Sequence, residues 1–321
     1  MLSNKEIVCP NNLLDYAHQK KGVKAGIVNA GKPLPMLSVQ DAVKEKLIEP
    51  IFIGDKKEII NCAENLKWDI SQYEIIDEPV ENNTAAIAAK LANQGKIKII
   101  VKGHIHTDVL MKEVLKREHN LIGKTRLSHI WHTTIEKNGK PLIITDGALN
   151  VLPTLKTKMH ILKNVINFSN RIGIERPKVA ILSATEEILE SIPSSMDAAE
   201  LTKIAKEENL NADVFGPLAF DNCISKKSAA IKGIKNSVAG VADVLLVPTV
   251  EAGNSLVKMM IYFMGACAAG VVVGGKVPVV ITSRSDEAQA RLASIAAAVV
   301  ALDWKYHWNK RQIDLNKFKI Y

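Results

Sequence analysis

Aromatic side chains are scarce in this chain: Phe, Tyr and Trp together make up 5% of 321 residues. So few rings exclude a base-stacking platform for single-stranded nucleic acid. Cysteine is equally thin. Cys9, Cys62, Cys223 and Cys267 lie far apart with no CxxC spacing, which excludes a zinc ribbon and a redox dithiol. Isolated thiols suit a reducing compartment, so a cytoplasmic protein is expected. The most apolar stretch, 259–273, is interrupted by Gly265, Cys267 and Gly270 and is too short to span a bilayer. The opening residues hold no positive region followed by an apolar core, so no signal peptide is read. There is no GxGxxG and no GxSxG, so neither a dinucleotide fingerprint nor a nucleophile elbow is present. The formal net charge is +8, but Lys and Arg are dispersed among acids. The densest basic runs are Lys20-Lys21 with Lys24, and the tail 304–319. No nucleic-acid or membrane partner is expected from that distribution.

What is present is ample core and a regular rhythm. Hydrophobic residues make up 47% and charged ones 24%, enough for one large or two medium domains. Short β-branched runs at 23–29, 51–54, 97–101, 142–145, 178–182, 213–215, 244–247 and 271–281 read as strands. Helical spacing occupies 41–48, 56–66, 84–94, 108–117, 159–172, 197–208, 225–234, 253–269 and 287–302. Ser195 and Asp197 are candidate caps of the 197–208 helix. Apolar runs without strict alternation imply strands buried on both faces, as in parallel sheets. The expected class is α/β, with two sheets sandwiched by helices. The Pro153 region after Thr145-Asp146-Gly147 is the candidate boundary. It divides a first α/β domain, 1–146 with a C-terminal return over 276–321, from a second over 147–275.

Chemistry gathers where strands end. The run from 271 stops at Thr282-Ser283-Arg284-Ser285-Asp286 before a helical pattern begins. A strand's carboxyl end is where α/β proteins place ligand clefts. Arg can bind phosphate bidentately, Ser can stabilise developing charge and Asp can move a proton. The same residues also read as a turn with Ser285 as N-cap and Asp286 in the first helical turn. Lys102-Gly103-His104-Ile105-His106-Thr107 is a second strand-to-helix turn, with Thr107 as N-cap and backbone N–H groups open to a phosphate. Thr125-Arg126-Leu127-Ser128-His129 reads either as a solvent-facing strand or as a second phosphate-binding arginine. Phe215-Gly216-Pro217-Leu218-Ala219-Phe220-Asp221 follows a strand. Glu251-Ala252-Gly253-Asn254-Ser255-Leu256-Val257-Lys258 opens a helix. His104, His106, His129 and His132 lack the nearby carboxylates that a cation for phosphate chemistry needs, so no metal is expected.

In this order, the strings KGHIHTDVL, TRLSH, ITDGALNVLPT, KVAILSATEE, FGPLAFD, VAGVADVLLVPTVEAGNSLVKMM and GKVPVVITSRSDEAQARLASIA resemble the phosphate acetyltransferase/phosphate butyryltransferase family. The resemblance runs from about 23 to about 302 and is most specific over 243–294. It implies reversible acyl transfer between CoA and phosphate. It also implies two α/β/α domains of isocitrate dehydrogenase type with a cleft between them, and a homodimer. CoA would be a substrate, with no resident cofactor, and acyl-CoA and phosphate or acyl phosphate the partners. By position, Arg284 would hold the phosphate, Ser283 would stabilise developing charge, and Arg126 would lie at the phosphate end of the acyl phosphate. Thr107, Ser128, Asn254, Lys258 and Thr282 complete the expected substrate-binding set. Acetyl-type members carry Gly after Ser-Arg and a carboxylate a few residues on; here Ser285 and Ala290 stand in those places. Asp286, ahead of Glu287, is the candidate base. TSRSD and TRLSH look more like the butyryl-type branch, which implies an acyl chain longer than acetyl. Two other classes compete: a metal- and nicotinamide-dependent decarboxylating dehydrogenase on the related fold, and a non-catalytic basic nucleic-acid-binding protein.

Overall fold

In the computed structural model, which describes residues 2–123, 125–282 and 286–302, the strands pair into one continuous sheet. They are β1 (Lys24–Val28), β2 (Glu49–Gly54), β3 (Ile75–Asp77), β4 (Ile99–Lys102), β5 (Ser128–Thr134), β6 (Leu142–Thr145), β7 (Lys178–Leu182), β8 (Asp213–Leu218), β9 (Val244–Leu246), β10 (Cys267–Val273) and β11 (Val279–Val280). Their order is β3-β2-β1-β4-β11-β10-β5-β6-β9-β7-β8. The expectation of two sheets is therefore corrected. Strands β10 and β5, an antiparallel pair between the two parallel blocks, close the gap. Because β10 runs against β11 and β5, and β6 runs against β5, the two parallel blocks point in opposite directions. The carboxyl ends of β1, β4 and β11 lie at one end of the sheet, and those of β6, β9 and β7 at the other.

The helices are α1 (Asn11–Ala17), α2 (Pro33–Lys44), α3 (Lys56–Asn65), α4 (Glu81–Asn93), α5 (Thr107–Leu115), α6 (Leu155–Arg171), α7 (Pro193–Glu207), α8 (Phe220–Ile224), α9 (Lys226–Ile231), α10 (Val250–Met264) and α11 (Ala288–Val300). They cover both faces. Ile130 of β5 joins Ile161 and Leu162 of α6, whereas its neighbour Trp131 joins Val257 and Met260 of α10. Alternation along the strand thus puts α6 and α10 on opposite faces. Helix α11 is buried nearly all round, as its mostly Ala, Val, Leu and Ile surface requires; Arg291 and Ser294, the polar residues buried with it, are hydrogen-bonded.

Several local expectations are revised. The helix expected at 253–269 ends at Gly265, which takes φ 65° and closes α10; only glycine adopts that conformation without steric cost. The rest of that segment becomes β10. The strand expected at 271–281 is two strands, β10 and β11, joined through Gly274 at φ 93°. Helix α7 begins on Pro193 after Ile192, so Ser195 and Asp197 lie inside it and are not its caps. The segment Thr125–His129 leads into a strand buried over all seven residues, so its solvent-facing reading does not hold.

Candidate functional site

The segment that carries Ser283 and Arg284 lies outside the described residues, but both of its roots are described. Thr282 is buried and follows β11. Its carbonyl oxygen accepts from Lys102 Nζ at 3.3 Å, and its Oγ1 accepts from Arg291 Nη1 at 2.9 Å. Arg291 Nε donates to the carbonyl of Asp286 at 3.0 Å. One guanidinium therefore ties down both ends of 283–285, while Lys102 holds the near end from β4. Both cations are only 5% exposed. Burial lowers the Arg291 pKa from its usual value, and the Asp286 charge opposes that shift. Two buried cations at the root of a turn make the surroundings favourable to an anion. Sequence reasoning missed both. Lys102 reads only as the first residue of a strand-to-helix turn, with no role of its own, and Arg291 reads as an ordinary helix-surface residue.

Lys258, on α10, and Asp286, just before α11, are brought together: both line a cavity of about 80 Å³. Asn254 lies one helical turn before Lys258 on the same face. Its Nδ2 donates to Gly147 O at 3.4 Å. That contact depends on two glycines, since a Cβ on Gly253 would come within 2.7 Å of Gly147 Cα. Gly147 belongs to a turn organised by Asp146, a buried carboxylate. Asp146 accepts from the backbone N–H groups of His129, Ala148 and Leu149 at 2.9–3.0 Å and from Asn150 Nδ2 at 2.6 Å. Hydrogen bonds to a carboxylate are stronger than neutral ones, so Asp146 fixes the approach of β5, the turn and α10. Sequence inspection treated Thr145-Asp146-Gly147 only as a boundary signal.

Arg126 and Ser128 stand elsewhere. Ser128 is buried, and its Oγ accepts from Asn164 Nδ2 at 2.8 Å; the same Nδ2 donates to Arg126 O at 3.0 Å. The Arg126 side chain is exposed. Its charge, with those of Lys163 and Lys156, adds to burial in lowering the His160 pKa. The sheet register sets the distance to the first group. Ser128 pairs with Val273, and His132 with Ala269; Val280 pairs with Val271. Continuing that register puts Thr282 level with Ala269. Four residues at ~3.3 Å and two strand spacings at ~4.8 Å separate Ser128 from Thr282 by roughly 16 Å. Arg126 is further still. The structure does not bring it to Thr282 or Asp286 within one chain.

Thr107 lies at the Thr282 end of the sheet but is not an N-cap: it is the first residue of α5, preceded by His106, which makes no side-chain cap bond. Gly103 in that turn is sterically required, because a Cβ there would meet Val28 O at 2.4 Å. His129 and His132 of β5 are fully buried on opposite faces of the sheet, and burial holds each pKa at about 4, so both are neutral near pH 7. The four cysteines are free and buried. Burial pushes the thiols of Cys223 and Cys267 up to about 12, which removes them as nucleophiles.

A family profile described as "Phosphate acetyl/butaryl transferase" matches residues 74–299. A phosphate acetyltransferase of Rhizobium meliloti is 41% identical over 261 residues, covering 81% of this chain and 83% of that protein. A phosphate butyryltransferase of Clostridium acetobutylicum is 37% identical over 294 residues, covering 91% and 97%. Among solved structures, a branched-chain phosphotransacylase from Enterococcus faecalis superposes with a TM-score of 0.76 at 32% identity, over 87% of this chain and 98% of that one.

Proposed function

The chain belongs to the phosphate acetyl/butyryl transferase family, and from that premise we propose that it is an acyltransferase exchanging a short acyl group between CoA and inorganic phosphate. The observation that carries the reading is the pair of buried cations, Lys102 and Arg291, converging on Thr282 beside the Ser283-Arg284 segment.

In the direction of acyl-CoA synthesis, Asp286 takes the proton of the CoA thiol. The thiolate sulfur attacks the acyl carbonyl carbon and the carbonyl electrons move onto its oxygen. As the carbonyl re-forms, the bond to the phosphate oxygen breaks and phosphate leaves with the electron pair. Ser283 donates to the developing oxyanion and Arg284 neutralises the leaving phosphate, both more strongly in the transition state than in the ground state. Thr282, held by Lys102 and Arg291, fixes where that pair starts. Lys258 lines the same cavity as Asp286 and brings a cationic side chain to the acyl-transfer site. Thr107 offers a further N–H group from the first turn of α5, whereas Asn254 stands toward the opposite end of the sheet, where its Nδ2 donates to Gly147 O.

Arg126, together with Ser128, takes a different place. Its distance from Thr282 argues against one phosphate shared with Arg284. CoA carries its phosphates far from its thiol, and Arg126 among Lys156, Lys163 and His160 suits such an anion. We divide the chain into 1–146 with 276–321, and 147–275, with the site between them in the isocitrate dehydrogenase manner; the pairing of β11 with β4 supports the return. A homodimer is supported by Met259 and Phe263, which leave apolar surface on α10, Phe263 being 63% exposed. A cytoplasmic location is supported by the free thiols.

The test is release of CoA from acetyl-, propionyl-, butyryl- and isobutyryl-CoA, with and without phosphate or arsenate. Release that requires the oxyanion is expected. Phosphate-independent hydrolysis, or no turnover across that panel, refutes the reading.

A further inference from the structure

The cavity shared by Lys258 and Asp286 has a chemistry that the acyl-transfer step does not use. Its inner wall is formed by Ile7, Ala266, Ala268 and Ala290, with Ile261 and Tyr262 beside them. The first four are each no more than 8% exposed. The charged groups lie outward: Glu287 is exposed and Lys258 and Asp286 are half-buried. At about 80 Å³ the space exceeds the ~10–15 Å³ on that measure which holds one water. Three alanines in one wall leave room that a larger side chain would fill. The side chains of those four residues offer water no hydrogen-bond partner, and an apolar group packed against them is stabilised by leaving water.

The N-terminal segment contributes one wall of the cavity through Ile7. The N–H groups of Leu2 and Ser3 donate to Tyr262 O at 2.9 and 3.0 Å. Cys9 N donates to Gln289 Oε1 at 3.2 Å. Residues 2–9 thus run from the carboxyl end of α10 to the first turn of α11 and seat Ile7 in the wall between them. Asp286, which also lines the cavity, is two residues from Arg284 in the sequence.

We propose that this cavity receives the alkyl tail of the acyl group and that Ala290, Ala268 and Ile7 set its length. The inference rests on the acyltransferase reading and specifies its substrate class. That class is an uncharged, purely aliphatic acyl chain of butyryl or isobutyryl size. A terminal carboxylate is disfavoured, because it would enter past Asp286 and Glu287 into a wall without donors. Acetyl leaves the cavity unfilled and forgoes its apolar contact.

The experiment compares kcat/KM for acetyl-, butyryl-, hexanoyl- and succinyl-CoA in wild type, Ala290→Val and Ile7→Ala, each checked for folding by circular dichroism and melting. Ala290→Val narrows the cavity, and the butyryl-to-acetyl ratio is expected to fall by about tenfold or more. Ile7→Ala lengthens it, and the hexanoyl-to-butyryl ratio is expected to rise by a similar factor. Ratios unchanged in folded variants, or succinyl-CoA turned over as well as butyryl-CoA, overturn the proposal. Should Ala290→Val fail to fold, the ratio in Ile7→Ala decides. A wild type that releases no CoA from any of the four in the presence of phosphate refutes the acyltransferase reading instead.

Discussion

Replacing Arg291 by Met should damage turnover far more than stability. The side chain makes two charge-assisted contacts, to Thr282 Oγ1 and to the Asp286 carbonyl. Each hydrogen bond to a charged group contributes ~1.5–3 kcal/mol on removal. Opposing this, a cation that is 5% exposed is costly to bury, and its lowered pKa has burial as the first cause. Methionine removes that cost and keeps much of the volume, and replacing buried charge by apolar packing is often neutral. The two terms largely offset, so the net destabilisation should stay below ~2 kcal/mol. At ~2–4 °C per kcal/mol for a large domain, melting should drop by a few degrees. The loss in kcat follows from geometry: the guanidinium ties both ends of 283–285, and displacing reacting groups by ~1 Å can cost about 100-fold, or ~2.7 kcal/mol. The assay is phosphate-dependent CoA release, with kcat and KM determined separately and melting followed in parallel. A fall in kcat of at least ~30-fold is expected, with KM for phosphate changed less. Arg291→Lys, which keeps the charge and can reach one partner, should recover part of it. If kcat stays within about threefold of wild type while melting falls, Arg291 is only a packing residue and the clamp argument is wrong.

Three further outcomes follow from the same geometry. Asp286→Asn should lower turnover by ~10²–10⁴ and remove the acidic limb of the pH profile; a profile of unchanged shape would mean that the surrounding cations generate the thiolate unaided. Arg126→Ala should raise KM for CoA with little change in kcat, whereas Arg284→Ala should lower kcat, and equal effects on kcat would place both arginines on one phosphate after all. Stability should fall with acid through the pair on β5. His129 and His132 are held at about 4 against an ordinary value of ~6.5. The unfolded chain therefore binds more protons between those limits, so the contribution is complete above about pH 6.5 and lost as pH falls to about 4, by roughly 3 kcal/mol for each ring. Equilibrium unfolding across that range checks it, and a flat curve in the wild type would show that the rings are solvated.

How much of this was legible in the sequence differs between elements for definite reasons. Strands β1, β2, β4, β6, β7 and β9 were readable because a strand covered on both faces is a short unbroken β-branched run. The 259–281 region was misread because α10, β10 and β11 are all apolar and adjoin without polar linkers. Periodicity cannot divide such a run; Gly265 and Gly274 at positive φ do, and neither is read as an element boundary from the sequence. Strand β5 was ambiguous because Ser128, His129, His132, Thr133 and Thr134 carry polar groups yet are all buried. Their burial is tolerated partly through long-range partners, such as Asn164 for Ser128 and the Leu142 carbonyl for Thr133, and those are invisible to local pattern.

The site divides along the same line. Groups at strand ends could be found, since a polar cluster after an apolar run stands out and Thr282 and Asp286 belong to one. Groups that act on those ends from inside the fold could not. Lys102 is read as the first residue of the turn after a strand, and Arg291 as one charge in the sequence Asp286–Leu292. Only the packing of α11 against β10 and α2 turns that arginine inward, and only the adjacency of β4 to β11 puts Lys102 under Thr282. The separation of Arg126 from Asp286 was hidden for a complementary reason. Both follow or precede apolar runs of similar character, but β5 and β11 point the same way, with Arg126 before its strand and Asp286 after its own. Residues placed before one strand and after a parallel one are at opposite ends of a sheet. Strand direction is therefore what decides whether two strand-end clusters form one site, and in this chain it turns on the hairpin between β10 and β11 that the sequence ran together.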